Sequence, residues 1–126
     1  MFTFSEELDA AFLQELYGDD LQQAEMVFES SVQQIKAEIT LAQARFHDGD
    51  LQGLKKVIHK MKPLFGYIGM NEVMEEFAVF EKECTEEKTV ADVEQKFQYI
   101  LIATQQSLLK TEKEVQRLKQ FNTQYL

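Results

Sequence analysis

The sequence contains one proline, one cysteine and only five glycines in 126 residues. So few helix-breaking residues, together with abundant Glu, Gln, Leu, Lys and Ala, predict an all-α domain. A single cysteine excludes an intramolecular disulfide and indicates a reducing compartment. The longest unbroken apolar run, residues 99–103, is too short for a secretory signal or a membrane span. We therefore expect a cytoplasmic protein with one domain, residues 1–126.

The charge is unevenly distributed along the chain. The net charge of −9 argues against binding nucleic acid or an anionic membrane. Residues 1–50 have a net charge of −9 and residues 71–95 a net charge of −7, whereas residues 51–70 carry four lysines and no acidic residue. This basic segment surrounds His59, one of two histidines in the chain.

Amphipathic segments joined by short polar turns predict four long helices and a short one before them. We expect Ser5 to cap the short helix and Gly18 to end it, with an apolar side formed by Leu8, Ala11, Phe12 and Leu16. The predicted caps of the long helices are Asp19 or Asp20, Asp50, Asn71 and Thr89, the last in a capping box with Asp92. Short turns make neighbouring helices antiparallel. The expected fold is thus an antiparallel up-and-down four-helix bundle with an additional short N-terminal helix.

The third helix is predicted to present His59 to solvent. Its apolar positions are Leu51, Leu54, Val57, Ile58, Met61, Leu64, Phe65 and Ile68. At ~100° per residue, His59 lies about 150° from the mean direction of these side chains. Residues at i−4, i+3, i+4 and i+7 share its side of the helix, and these are Lys55, Lys62, Pro63 and Gly66.

An exposed imidazole in this setting suits phosphoryl transfer between proteins. Such a histidine needs an accessible neutral nitrogen and a cationic donor for the phosphoryl oxygens, which Lys62 can supply. Small neighbours such as Gly66, together with Pro63, would let a partner approach closely. The simpler interpretation is an ordinary exposed histidine on a solvated face. Four lysines within eight residues of so acidic a chain favour a site.

The segment His59-Lys60-Met61-Lys62, with Gly69 ten residues after the histidine, resembles the pattern H-x-L-K-G-S-x-x-x-x-G of histidine-containing phosphotransfer (HPt) domains. The order of turns and helices extends the resemblance over nearly the whole chain. It implies a bacterial phosphorelay intermediate in two-component signal transduction. His59 would take a phosphoryl group from the aspartyl phosphate of one receiver domain and pass it to another.

The same resemblance implies roles for the residues and the partners. Lys62 would stabilise the phosphoryl group, and Gly69 would be a structural residue of the motif. The residues expected to contact the partner are Lys55, Lys60, Pro63 and Gly66. Receiver domains and a hybrid histidine kinase are the expected partners of a monomer. The chain would be no enzyme and would bind no ATP or metal, because the receiver supplies Mg²⁺.

Pro63 departs from the family pattern, which has glycine there, and Leu64 and Phe65 replace the small residues that follow it. A proline inside a helix removes one backbone hydrogen bond, in this chain the one to the His59 carbonyl. Two outcomes are open. The helix either kinks near His59, which the continued apolar pattern favours, or breaks and restarts with Pro63 in its first turn.

Other functions fit the sequence less well. In the dimerisation helices of histidine kinases an acidic residue follows the histidine and proline comes five residues after it, whereas here Lys60 follows His59 and proline comes at four. His47, His59 and Cys84 do not have metal-ligand spacing. The remaining alternative is an adaptor that docks a receiver domain or another signalling partner without being phosphorylated.

Overall fold

The computed structural model describes residues 1–124, so the last two residues of the expected 1–126 domain lie outside the described range. All regular structure in the described residues is helical, which confirms the all-α prediction. The helices are α1 (Ala10–Tyr17), α2 (Leu21–His47), α3 (Leu51–Tyr67), α4 (Asn71–Glu86) and α5 (Glu94–Gln124), with a 3₁₀ turn at Val90–Val93 before α5. Within residues 1–124, no helix has the length and apolar character to cross a membrane.

The four long helices surround one core. Helix α3 packs between α2 and α4, and α5 contacts both α2 and α4 on the other side. Aromatic rings fill much of the space between them, and five phenylalanines are completely or almost completely buried: Phe28, Phe65, Phe77, Phe80 and Phe97. The apolar residues predicted for the third helix are all buried.

Most predicted caps are confirmed. Asp20 and Asp50 each accept a hydrogen bond from the backbone N–H three residues later, at 3.1 Å and 2.8 Å. Thr89 and Asp92 form the expected capping box, although it opens the 3₁₀ turn rather than α5 itself. The predicted cap at Asn71 is wrong, because its side chain reaches across to Asp9 instead, with Nδ2 donating to Oδ2 at 2.9 Å.

The prediction for the first helix is wrong in its start and in its buried side. Ser5 Oγ accepts from the Glu7 N–H at 3.1 Å and thus closes only a local turn. Asp9 caps α1 instead. The buried residues of this short helix are Leu13 and Tyr17, which lie four residues apart and therefore on one face. The predicted apolar residues Ala11, Phe12 and Leu16 are exposed.

Gly69 joins α3 to α4 and also contacts α1. Its φ of +70° is a left-handed conformation that glycine adopts without strain. A Cβ atom at this position would lie 2.6 Å from Leu13 Cδ1 of α1. The Gly69 carbonyl accepts the Asp9 N–H at 2.7 Å, and Tyr17 Oη donates to the Tyr67 carbonyl at 2.7 Å. Helix α1 is therefore fixed to the end of α3 by packing and by hydrogen bonds.

Helix α3 continues through Pro63 without interruption. The interpretation in which the helix breaks and restarts there is therefore wrong, whereas a kink stays a prediction. Burial of Leu64 and Phe65 directly after the proline holds the backbone on its helical course. Because proline has no N–H, the His59 carbonyl lacks its usual donor four residues ahead.

Candidate functional site

His59 lies on the exposed side of α3, as the helical periodicity predicts. Its side chain is 69% exposed, whereas Ile58 and Met61 on the opposite side are fully buried. The histidine is therefore no core residue, and its ring is accessible to another protein.

Glu81 of α4 contacts both His59 and Lys62. Its Oε2 lies 2.8 Å from His59 Nδ1, and its Oε1 lies 2.6 Å from Lys62 Nζ. Partial burial acts to raise the pKa of Glu81, but the hydrogen bonds from Lys62 and His59 outweigh it and hold this pKa below its ordinary value. The group is thus a carboxylate at neutral pH and can only accept hydrogen bonds.

This contact determines which ring nitrogen can react. Because Glu81 accepts, His59 Nδ1 must carry the hydrogen. In the neutral imidazole the lone pair is then on Nε2, the nitrogen farther from Glu81. The arrangement therefore presents a nucleophilic Nε2 on a ring that is mostly exposed to solvent.

Sequence reasoning missed Glu81, although the chain contains a signal for it. The short turn at Gly69 folds α4 back along α3, so residues at similar distances from the turn lie opposite each other. His59 precedes Gly69 by ten residues, and Glu81 follows it by twelve. Counting outward from the turn would have singled out this acid among the many of α4.

Lys60 is paired in a similar way on the other side of α3. Its Nζ lies 2.9 Å from Oε1 of Glu38 on α2, and the Glu38 side chain is only 14% exposed. Glutamates from both neighbouring helices thus compensate two of the four lysines. The basic segment that stands out in the sequence is less positive in the folded protein than its composition suggests.

The other predicted site residues have different surroundings. Pro63 is exposed beside His59, and Lys55 is half-buried one turn before it. Gly66 faces α4, where an added Cβ would lie 3.3 Å from Met74 Sδ. Its small size therefore allows close packing of α3 against α4.

No protein-family model matches this sequence, and no curated protein matches it. Among solved structures, the chain is similar to the HPt domain of the Hpt sensor hybrid histidine kinase from Shewanella. The two share a TM-score of 0.62 and 16% sequence identity over 90% of this chain and 91% of that chain. The chain has the fold of an HPt domain.

The HPt fold of this chain also carries an apolar patch near the end of α3, formed by the exposed side chains of Leu16, Met26 and Tyr67. The patch borders an open groove of about 480 Å³ between α1, α2 and α3 that no charged residue lines. Tyr67 follows Lys60 by seven residues, which places both on one side of α3 two turns apart. Sequence reasoning missed this patch because it assigned Leu16 to the core.

In the part of the chain that the structure describes, the other candidate metal ligands of this HPt fold do not form a site. Among the described residues, no group of three or more His, Cys, Asp and Glu side chains is placed to hold a metal ion. Cys84 is buried, and this burial raises the pKa of its thiol to about 11. It is therefore an unreactive core residue.

Proposed function

We propose that this protein is a phosphorelay intermediate. In this proposal Nε2 of His59 accepts a phosphoryl group from the aspartyl phosphate of one receiver domain and passes it to a second receiver. One observation carries the proposal: on an HPt fold, the exposed His59 ring has Nδ1 bound to Glu81, which leaves Nε2 as its nucleophile.

Each transfer exchanges one bond to phosphorus for another. The Nε2 lone pair forms the N–P bond while the P–O bond to the aspartyl carboxylate breaks, and the carboxylate leaves with the electron pair. The second transfer runs the same exchange in reverse. Lys62, one turn beyond His59, would donate hydrogen bonds to the phosphoryl oxygens during both steps. The receiver would supply Mg²⁺ and most of the catalytic groups, so this chain needs no ATP or metal site and is itself no enzyme.

The receiver would dock on the surface around His59. Lys55, Lys60, Pro63 and Gly66 are its expected contacts, and the apolar patch extends this surface beyond them. Exposed apolar side chains that lie together are typical of protein interaction sites. A hybrid histidine kinase would carry the receiver that supplies the phosphoryl group.

The proposal includes the architecture and setting of the protein. The cyclic contacts among α2, α3, α4 and α5, together with their short connections, support an antiparallel up-and-down four-helix bundle. We place this bundle, as a monomer, in the cytoplasm of a bacterium.

A docking adaptor is the second candidate, and the apolar patch is the observation that favours it. A partner could bind this patch and the His59 surface without any phosphoryl transfer. The site would then serve recognition alone.

The test is to incubate the protein with phosphorylated receiver domains and to measure acid-labile, base-stable label. His59→Gln should abolish labelling and leave the circular dichroism spectrum unchanged. His47→Gln is the matched control, because His47 is exposed at the end of α2 and lies outside the proposed site. Full labelling of His59→Gln would overturn the assignment of the phosphoacceptor. Measurable docking without transfer to the unaltered protein would favour the adaptor.

A further inference from the structure

We propose that Glu81 makes phosphorylated His59 a reactive phosphoryl donor by holding a hydrogen on Nδ1 while Nε2 carries the phosphoryl group. The inference rests on the proposed function and concerns the lifetime of its intermediate. Glu81 acts through His59 and touches neither the phosphoryl group nor the partner, so it is a positioning residue.

The geometry allows Glu81 to keep its contact after phosphorylation. The exposed ring would carry the new group on Nε2, away from α4, while Nδ1 remains 2.8 Å from the carboxylate. Lys62 holds the other carboxylate oxygen at 2.6 Å, and the Glu81 side chain is only 17% exposed. The acceptor is therefore fixed in position before the phosphoryl group arrives.

The hydrogen on Nδ1 matters because of the group that leaves phosphorus. When water or a receiver carboxylate attacks, a P–O bond forms, the P–Nε2 bond breaks and its electron pair stays on Nε2. With Nδ1 protonated, the ring leaves as neutral imidazole. Without that hydrogen it would have to leave as an imidazolide anion, a far poorer leaving group. A carboxylate beside Nδ1 favours the protonated ring, since an opposite charge stabilises the charged form.

The other charged groups around the ring do not replace Glu81. On α3, Lys55 and Lys62 are positive and oppose a positive charge on the ring. On α2, Glu38 is negative, but its carboxylate is paired with Lys60 at 2.9 Å. Glu81 of α4 is the acid in contact with the ring, so its charge should dominate the effect.

The experiment uses full-length protein with His47→Gln as background, so that His59 is its only histidine. Phosphoramidate, a small phosphoryl donor, loads the ring without any receiver, and ³¹P NMR follows the loss of phosphohistidine between about pH 6 and about pH 9. Glu81→Gln keeps the size and a hydrogen-bond acceptor but removes the charge. We expect it to lengthen the half-life of phosphohistidine near neutral pH by about threefold or more. A change of this size corresponds to the free energy of one exposed ion pair. As the pH is raised, the hydrolysis of phosphohistidine in Glu81→Gln should also begin to slow at a lower pH than in the background protein.

Two controls separate this role from others. Glu83→Gln, which removes a nearby charge on the same helix, should leave the half-life and its pH profile unchanged. In a Lys62→Met background, Glu81→Gln should still prolong the half-life. If the effect disappears there, Glu81 acts by sequestering Lys62 and the inference is wrong.

The outcomes also distinguish this inference from the proposed function. Equal half-lives and pH profiles for the background protein and Glu81→Gln would overturn the role of Glu81 even where receivers transfer phosphoryl groups normally. A longer half-life in Glu81→Gln would support it even where no receiver does so. A His59 ring that phosphoramidate fails to label would contradict the free Nε2 on which both proposals depend.

Discussion

The two faces of α3 are held in place by different interactions. On the inner face Leu54, Ile58, Met61 and Phe65 are completely buried, so their positions depend on shape and volume. On the outer face His59 is mostly exposed and is oriented by a carboxylate from another helix. The reactive face can therefore change chemically without loss of the fold, whereas the inner face cannot.

The outer face is nevertheless attached to the bundle. Glu38 and Glu81 extend from α2 and α4, and both side chains are largely buried, although the groups that they bind are on the surface. The position of the functional side chains thus depends on how α3 packs between its neighbours.

The largest expected effect comes from the inner face. Phe65→Ala should lower the free energy of unfolding by about 3–5 kcal/mol, because it removes a buried ring that packs 4.6 Å from the Phe77 ring centroid. Urea unfolding measures the change. Lys56→Ala, at an exposed position of the same helix, should stay within about 0.5 kcal/mol of the original protein. Similar losses in the two variants would remove the distinction between the faces.

Pro63→Ala should change stability in the opposite direction. Proline inside a helix is about 3 kcal/mol less favourable than alanine. Proline also stabilises the folded protein by about 0.4–1 kcal/mol, because it lowers the conformational entropy of the unfolded chain. We expect a net increase in the free energy of unfolding of about 2–3 kcal/mol, measured by urea unfolding. A decrease would show that the surrounding structure requires the proline, in which case the outer face is less tolerant than we infer.

Unfolding at low pH should reveal how much Glu81 contributes to stability. The pKa of this carboxyl is lowered from 4.5 in the folded protein. Its stabilising contribution is therefore complete above about pH 4.5 and is lost as the pH falls through the folded-state pKa. Glu81→Gln should lose less stability than the original protein between about pH 7 and about pH 3, as measured by urea unfolding at both pH values. Equal losses would mean that His59 and Lys62 contribute nothing to stability through this acid.

The smallest effect is expected for Glu38→Gln. Lys60 is exposed, so loss of this pair should cost only about 0.2–1 kcal/mol, and added salt should reduce the difference. Because Glu38 does not contact the ring, the lifetime of phosphorylated His59 should not change. An effect as large as that of Glu81→Gln would show that charge near the ring matters more than contact with it.

The sequence predicts features that depend on local periodicity and misses those that depend on packing between helices. The buried face of α3 and the caps at Asp20 and Asp50 follow from residue spacing within one segment, and all are confirmed. Glu81 reaches His59 only because α4 folds back at a particular distance from Gly69. The eight-residue α1 is too short for its periodicity to define which side is buried, so the exposure of Leu16 could not be read from the segment alone.

The proline after His59 has a consequence for mapping this surface. Since Pro63 offers no N–H, the His59 carbonyl oxygen lacks the backbone donor that another residue at that position would supply. A partner that donates a hydrogen bond to this oxygen would do so regardless of the side chain at position 59. An alanine scan that omits the proline would leave this acceptor unchanged. Among alanine substitutions, Pro63→Ala alone would restore a backbone donor for this oxygen. It should strengthen the helix and remove one hydrogen-bond acceptor from the docking surface.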